Sequence, residues 1–326
     1  MPAARSSPPY LCVLDGRTVS PSLVGGKGAS LSRLAALAAP VPPAFALTTR
    51  AYQDHARRLG LPDRASQVAD RQLDAIRASI LAADIPAAVT DAISEGVAAI
   101  NQVSAGQCSL AVRSSATAED SPQFSFAGLH DTLLDVAGMP NIMHSVKQCW
   151  ASLWSERAVS YRRAGDDTLD NASMAVVIQQ LVPCDVSFVV FTADPVSGHD
   201  KHLVISATYG LGEAVVSGLV TPDHIIIHES GEVGSYLIGE KEIMIIPAAS
   251  AGGGVREVPV PRILGREPVL THDQARQIGK IARDLDSALG FRLDIEGGIA
   301  GGTIYLFQVR PITTLNGRTR FRRTSS

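Results

Sequence analysis

Four polar residues near the C-terminus could together hold a phosphate and its counter-ion: Asp294 and Glu296 in Leu293-Asp294-Ile295-Glu296, and Gln308 and Arg310 in Gln308-Val309-Arg310. Hard oxygen donors beside a fixed cation suit Mg²⁺ bridging nucleotide phosphates. The elements that must position them follow from periodicity. Both runs alternate polar and apolar residues as a half-buried strand does, so Asp294 and Glu296 share one face, as do Gln308 and Arg310. The opposite faces can bury Ile295, Leu306 and Val309. The intervening Gly297-Gly298-Ile299-Ala300-Gly301-Gly302 predicts a turn that closes a hairpin and gathers the four polar residues on one surface. The alternative is that all four are ordinary outward-facing residues of a half-solvated strand pair.

Four more segments have chemistry-bearing patterns. Val24-Gly25-Gly26-Lys27-Gly28-Ala29-Ser30-Leu31 sets a glycine-flanked lysine at the start of a helix, where free N–H groups and Lys27 could meet phosphate. It is not a Walker A loop, because Gly28 stands where Ser or Thr is needed. Val112-Arg113-Ser114-Ser115-Ala116-Thr117-Ala118-Glu119-Asp120, continued by Ser125-Phe126-Ala127-Gly128-Leu129-His130-Asp131-Thr132, reads as an arginine at a strand end followed by a loop able to fold over phosphate oxygens. A Ser/Thr-rich surface loop has the same composition. Val177 to Pro183 is an apolar strand that could offer backbone groups to an adenine edge, with Leu181 and Val182 against the ring, or a plain core strand. Gly210-Leu211-Gly212-Glu213 could present a carboxylate to ribose or metal, but Gly-x-Gly is common.

The whole chain has 326 residues, 45% hydrophobic and 19% charged, with a formal net charge of −3. That length supports two or three lobes with sizeable cores, and the charge gives no global reason to expect nucleic acid or a membrane as partner. Cys12, Cys108, Cys149 and Cys184 are widely spaced, which argues against a zinc ribbon, a redox pair and a disulfide framework, and a cytoplasmic location is expected. Residues 1–9 read as a loose tail and 315–326 as a basic tail with Arg318, Arg320, Arg322 and Arg323. Helical periodicity in Ala29–Ala38, Gln67–Leu81, Ile85–Val103, Asn141–Arg163 and Asp273–Leu289 predicts helices, with β-signals dominating from Met174 onward. The expectation is an α+β, multi-lobed fold with a nucleotide cleft between lobes.

In this order, GGKGASL (25–31), VRSSATAED (112–120), SFAG..DT (125–132), FTADPVSG (191–198), YGLGEAVVSG (209–218), TPD (221–223), DIE (294–296) and QVRPIT (308–313) resemble the ATP-binding domain shared by phosphoenolpyruvate synthase, pyruvate phosphate dikinase and rifampicin phosphotransferase. That domain is of the ATP-grasp superfamily, and the closing RPITTL looks more like rifampicin phosphotransferase. The resemblance covers about Leu14 to Thr314, with 10–172 and 173–314 as the N- and C-terminal parts of the domain. It implies that Lys27 and Arg113 bind the triphosphate, Gly128 and Thr132 belong to the loop over it, and Gln179 lies at the adenine hinge. Glu296 and Gln308 would hold Mg²⁺ with Asp294 in support, and Arg310 would contact phosphate; Lys27, Arg113 and Arg310 are the expected catalytic residues.

Two residues depart from the family pattern: Phe188 stands where Gly is common, and Gly297 where an aromatic residue is common. Phe188 could crowd a nucleotide or repack a strand. In such enzymes ATP phosphorylates a histidine of a separate carrier domain. None of the eight histidines here has that small-residue setting, and His130 reads as a polar loop residue. The resemblance therefore implies a phosphotransferase (kinase) part that binds Mg-ATP and phosphorylates a histidine of a carrier domain or protein, the final acceptor being pyruvate-like or rifamycin-like. The alternative is a non-catalytic, ATP-binding regulatory module.

Overall fold

Strands that carry apolar residues on both faces need a cover on each side, and the N-terminal strands have two. The computed structural model describes residues 10–104, 106–117, 132–164, 170–171, 173–194, 201–248 and 253–312. Both tails, Gly128 and His130 lie outside them. The chain forms two compact units: Met1–Ser121, Phe126–Pro183 and Ile246–Arg256 make the first, and Pro122–Ser125, Cys184–Ile245 and Glu257–Ser326 the second.

In the first unit, β1 (Leu11–Val13), β2 (Ala44–Leu47), β3 (Leu110–Ala116), β4 (Thr132–Val136) and β5 (Met174–Gln180) form an antiparallel sheet in the order β1-β2-β5-β3-β4. Alternation along the strands sorts their side chains into two layers. Phe45, Leu47, Leu110, Val112, Met174, Val176 and Ile178 enter the main core with Trp150 and Trp154. Ala44, Ala46 and Val177 instead pack with Val24, Ala29 and Leu31 of helix α1 (Pro21–Ala36). The main core is completed by α2 (Thr49–Arg58), α3 (Leu73–Ala82), α4 (Ala87–Val103), α5 (Met139–Ser152) and α6 (Glu156–Ala164). Because β5 is the middle strand of this sheet, it belongs to the first compact unit, whose second segment runs on to Pro183.

Local hydrogen bonds account for the helices that differ from expectation. The single helix expected over Asn141–Arg163 is two, because Ser155 Oγ accepts the Ala158 N–H at 3.2 Å and starts α6 afresh. The helix expected from Gln67 begins only at Leu73, since the Gln67 and Gln72 amides accept the N–H groups of Arg64 and Ala69 and hold two 3₁₀ turns.

In the second unit, β6 (Val186–Phe191), β7 (Leu203–Tyr209), β8 (Asp223–Ile227), β9 (Val233–Leu237), β12 (Leu293–Ala300) and β13 (Thr303–Pro311) form an antiparallel sheet in the order β13-β12-β6-β7-β8-β9. A single helical turn, α7 (Glu213–Val216), follows β7, and β10 (Ile243–Pro247) pairs with β11 (Val255–Pro259) in a separate ribbon. The strands β9 to β11 are additions to the sequence reading. Helix α8 (His272–Leu289) starts at a capping box between Thr271 and Gln274 and stops at Gly290 with φ of 78°. Its Ile278, Ile281 and Ala282 face Phe188, Val190, Ile295, Ile304 and Leu306, so one face of the sheet is apolar and covered. Asp223, from the TPD segment, is committed to structure. Its carboxylate pairs with Lys241, both fully buried, and accepts from Gly239 N, Tyr236 Oη and Val269 N. No helix among the described residues is long and apolar enough to cross a membrane.

The core of the first unit also holds a titratable group. His55 is 1% exposed, lies against Trp150 with ring centroids 4.9 Å apart, and has no partner at Nε2. Burial pushes its pKa below the usual value, partly offset by a hydrogen bond to the Ile80 backbone. The unfolded chain therefore takes up a proton first as pH falls through the usual histidine range, and stability is lost there. Urea unfolding at a series of pH values should show this loss, and His55→Phe should flatten it; an equal acid slope in that variant would place the effect elsewhere.

Candidate nucleotide site

In the first unit the candidate residues collect on the α1 face of the sheet. Helix α1 is kinked at Gly25, whose φ of 71° and ψ of 178° restart the helix just before Lys27. A Cβ at Gly25 would lie 2.0 Å from the Ser115 carbonyl oxygen, so only glycine allows this approach. Ser115 Oγ donates to the Val24 carbonyl at 2.8 Å and accepts the Gly28 N–H at 3.2 Å, bridging the kink. Two expectations change here. Strand β3 runs on through Ala116, so Arg113 is a buried mid-strand residue and not a strand-end one. The Ser115 hydroxyl is not loop chemistry but holds the glycine turn, because Gly25 packs directly against the β3 backbone at that point.

Arg113 pairs in register with Val177 of β5 and with Thr132, the exposed first residue of β4. Its Nη1 donates to Gln179 Oε1 at 3.4 Å. Gln179 is 2% exposed and its Nε2 has no partner, a buried donor set beside a buried guanidinium. Gln179 thus stands with Arg113 through its side chain. The backbone N–H groups of Gln180 and Leu181, which the sequence reading offered to an adenine edge, are taken by the Pro43 and Ser109 carbonyls. Arg113 and Gln179 are thus in contact, Thr132 opposes Arg113 in the ladder, and Lys27 is half-buried on α1 within the turn that Ser115 holds.

In the second unit the hairpin forms as expected and its register is direct: Asp294 opposes Arg310, and Glu296 opposes Gln308. Side chains so opposed have Cβ atoms about 4.5–5.5 Å apart on one face. Arg310 Nε donates to Asp294 Oδ2 at 2.7 Å, and Arg310 Nη2 lies 3.8 Å from Glu296 Oε1. Asp294 is buried and its Oδ1 has no partner. Burial pushes the Asp294 carboxyl above the usual carboxylate range, and the Arg310 charge pulls it back down. The turn is shorter than expected. Gly297 and Gly298 belong to β12, and only Gly301 and Gly302, with φ of 53° and 79°, make the reversal.

A register shift between Glu296 and Gly297 leaves Phe307 as an extra residue in β13. Strict alternation would place Leu306 with Gln308 and Arg310; the bulge moves it to the apolar face with Ile295 and Val309, all three at most 5% exposed. The donor chemistry of the polar face suits a hard divalent cation, since Glu296 and Gln308 offer opposed oxygens and Asp294 Oδ1 lacks a partner. Among the described residues no group of three or more His, Cys, Asp or Glu could hold a metal, so the remaining positions would fall to phosphate and water.

The two departures meet each other. Phe188 opposes Gly297 in register, is 2% exposed, and belongs to the face under α8. A Cβ at Gly297 would lie 2.5 Å from Phe188 Cζ and 2.6 Å from the Tyr305 carbonyl oxygen. The ring therefore fills the space of a side chain at 297, on the face opposite Asp294 and Glu296, and repacks the strand. Glu213 stands on α7, where burial and the Glu257 carboxylate push its pKa up.

The sequence pattern of the family described as pyruvate phosphate dikinase, AMP/ATP-binding domain, matches residues 21–324. The phosphoenolpyruvate synthase of Pyrococcus furiosus is 35% identical over 344 residues, covering 90% of this chain and 42% of its own length. The rifampicin phosphotransferase of a Streptomyces species is 40% identical over 306 residues, covering 90% of this chain and 34% of its own. The prodigiosin synthesizing transferase PigC of Serratia marcescens is 38% identical over 315 residues, at 94% and 34% coverage. The chain thus spans well under half the length of these relatives.

The Phe188–Gly297 contact predicts coupled energetics. Gly297→Ala should destabilise by about 1–3 kcal/mol through overpacking. In a Phe188→Ala background that penalty should shrink but not vanish, because the Tyr305 carbonyl remains, giving a coupling of at least roughly 0.5 kcal/mol in a double-mutant cycle by urea denaturation. Additive effects would mean that the ring and residue 297 do not share this space.

Proposed function

Because the chain belongs to the pyruvate phosphate dikinase AMP/ATP-binding domain family, we propose that residues 10–314 form an ATP-grasp nucleotide domain that prepares Mg-ATP for phosphoryl transfer. Lys27 and Arg113 hold the triphosphate, with Gly128 and Thr132 in the loop over it and Gln179 beside Arg113. Glu296 and Gln308 hold the metal, Asp294 supports them, and Arg310 meets phosphate. The observation that carries this reading is the direct opposition of Glu296 with Gln308 and of Asp294 with Arg310 on one face. A bound Mg²⁺ supplies neutralisation of phosphate charge. The protein cations orient the terminal phosphates and offset the charge that develops as a phosphoryl group leaves.

The acceptor in this proposal is a histidine on a carrier domain or protein, with ATP going to AMP in the complete system and a pyruvate-like or rifamycin-like compound as final acceptor. What supports it is the names and greater length of the relatives. The regulatory alternative rests on the lack of a carrier-type histidine as well as on Phe188 and Gly297, and the packing of those two on the face under α8 weakens only the second ground.

Calorimetry tests the donor half. Lys27→Ala and Arg113→Ala should each weaken ATP binding by roughly 10–100-fold, the size of a lost charge-assisted hydrogen bond. Glu296→Gln should weaken binding only when Mg²⁺ is present. Unchanged affinity in all three would overturn the site. Mixing the chain, Mg-ATP and a histidine-domain protein should then release AMP; intact ATP binding without AMP would remove the transfer step and leave the binding site.

A further inference from the structure

The hairpin gives Asp294 a narrower role than general support of the metal. We propose that Asp294 is a positioning residue for Arg310: by accepting the Nε–H across the strand pair, it fixes the guanidinium so that its Nη edge meets phosphate, while Glu296 and Gln308 supply the protein's metal oxygens. The inference rests on the assignment of Arg310 to phosphate made above.

Three observations carry it. Asp294 and Arg310 are direct partners in the register, so their contact is set by the backbone ladder. The contact is made through Nε at 2.7 Å, whereas the nearer Nη nitrogen of Arg310 is 3.8 Å from Glu296, outside hydrogen-bond range. Asp294 is the more enclosed of the two carboxylates, its side chain 9% exposed against 20% for Glu296. A guanidinium held by Nε loses its rotational freedom, and the two-pronged Nη edge so oriented has the geometry that matches phosphate oxygens. Carboxylates that fix a neighbouring ligand in this way are a recurring feature of metal and phosphate sites. The buried, unpartnered Oδ1 of Asp294 is the atom a direct metal-ligand role would use, and it makes that rival role testable.

The experiment compares Asp294→Asn, Asp294→Ala, Arg310→Ala and the double variant Asp294→Ala/Arg310→Ala in the full chain. ATP affinity is measured by calorimetry with and without Mg²⁺, Mn²⁺ affinity of the ATP complex by electron paramagnetic resonance, and folding by thermal melting. Asparagine keeps an oxygen for the Nε–H, so Asp294→Asn should hold ATP affinity within about threefold and leave Mn²⁺ affinity unchanged. Asp294→Ala should weaken ATP binding with or without Mg²⁺ by up to the roughly 10–100-fold lost in Arg310→Ala. The double variant should bind no more weakly than Arg310→Ala, the signature of two residues acting as one. Loss of Mn²⁺ affinity in Asp294→Asn, matching Glu296→Gln, would make Asp294 a metal ligand and overturn the proposal. So would additive losses in the double variant, or unchanged ATP binding in a folded Asp294→Ala. Unchanged ATP binding in Arg310→Ala would instead overturn the phosphate assignment itself. If alanine at 294 prevents folding, the Asn variant alone decides through its Mn²⁺ and ATP affinities.

Discussion

The one-residue shift in the β12–β13 ladder is the constraint on which the second unit's candidate site depends. A strand pair has a side-chain period of two, so a hairpin segment must either satisfy its core or present its chemistry unless something resets the count. In β13 the core needs Leu306 and Val309 and the polar face needs Gln308 and Arg310, and these demands conflict by one position. The extra residue Phe307 removes the conflict. Beyond it the ladder runs in strict register, so Glu296 meets Gln308 and Asp294 meets Arg310, and the short contact from Arg310 Nε follows from strand geometry. The apolar side, now continuous, is what α8 covers with Ile278 and Ala282.

The first unit solves a related problem with a hydroxyl. Its sheet is apolar on both faces, yet Arg113 and Gln179 must sit on one of them. Burying a guanidinium is costly unless its donors are met. The sheet does this by placing the amide of Gln179 beside Arg113 and by bringing the glycine turn of α1 down onto the same face. Ser115, two residues on from Arg113 and hence on its side of the strand, bonds both sides of the Gly25 kink. The strand that carries the arginine therefore also fixes the backbone before Lys27. Loss of the Ser115 hydroxyl would remove both of the hydrogen bonds it makes across that kink.

Much of this was legible in the sequence, and the illegible parts have physical causes. The hairpin, its four polar residues, the last helix and the α+β class follow from period and glycine placement, because those signals are local. Ser114 and Ser115 look like loop chemistry from composition, but β3 continues through them since its neighbour β5 offers partners as far as Met174. The break after Ser152 depends on a single side-chain cap, which periodicity over Asn141–Arg163 averages away. Strand β9 has a mixed burial pattern at a sheet edge, and β10 and β11 form a separate two-stranded ribbon of mostly half-buried or exposed residues, so their alternation is weak. The bulge is the instructive case: grouping Leu306 with Val309 already breaks a period of two, and that breach was its only mark in the sequence.

Phe188 and Gly297 show how departures from a family pattern should be weighed. Taken singly, a large residue for a small one suggests a blocked site, and a glycine for an aromatic residue suggests a lost anchor. In register they are opposite each other, and the ring of one occupies the volume the other gives up. The exchange lies on the face under α8, while the residues that could touch phosphate or metal project from the other face of the same strands. A sheet separates the two sets by its own thickness, so core volume can be redistributed between neighbouring strands without moving a polar side chain across it. The same geometry sets the limit on such exchanges: Tyr305 brings its carbonyl oxygen over Gly297 beside the bulge, so a side chain at 297 would press on the backbone that holds Gln308 opposite Glu296.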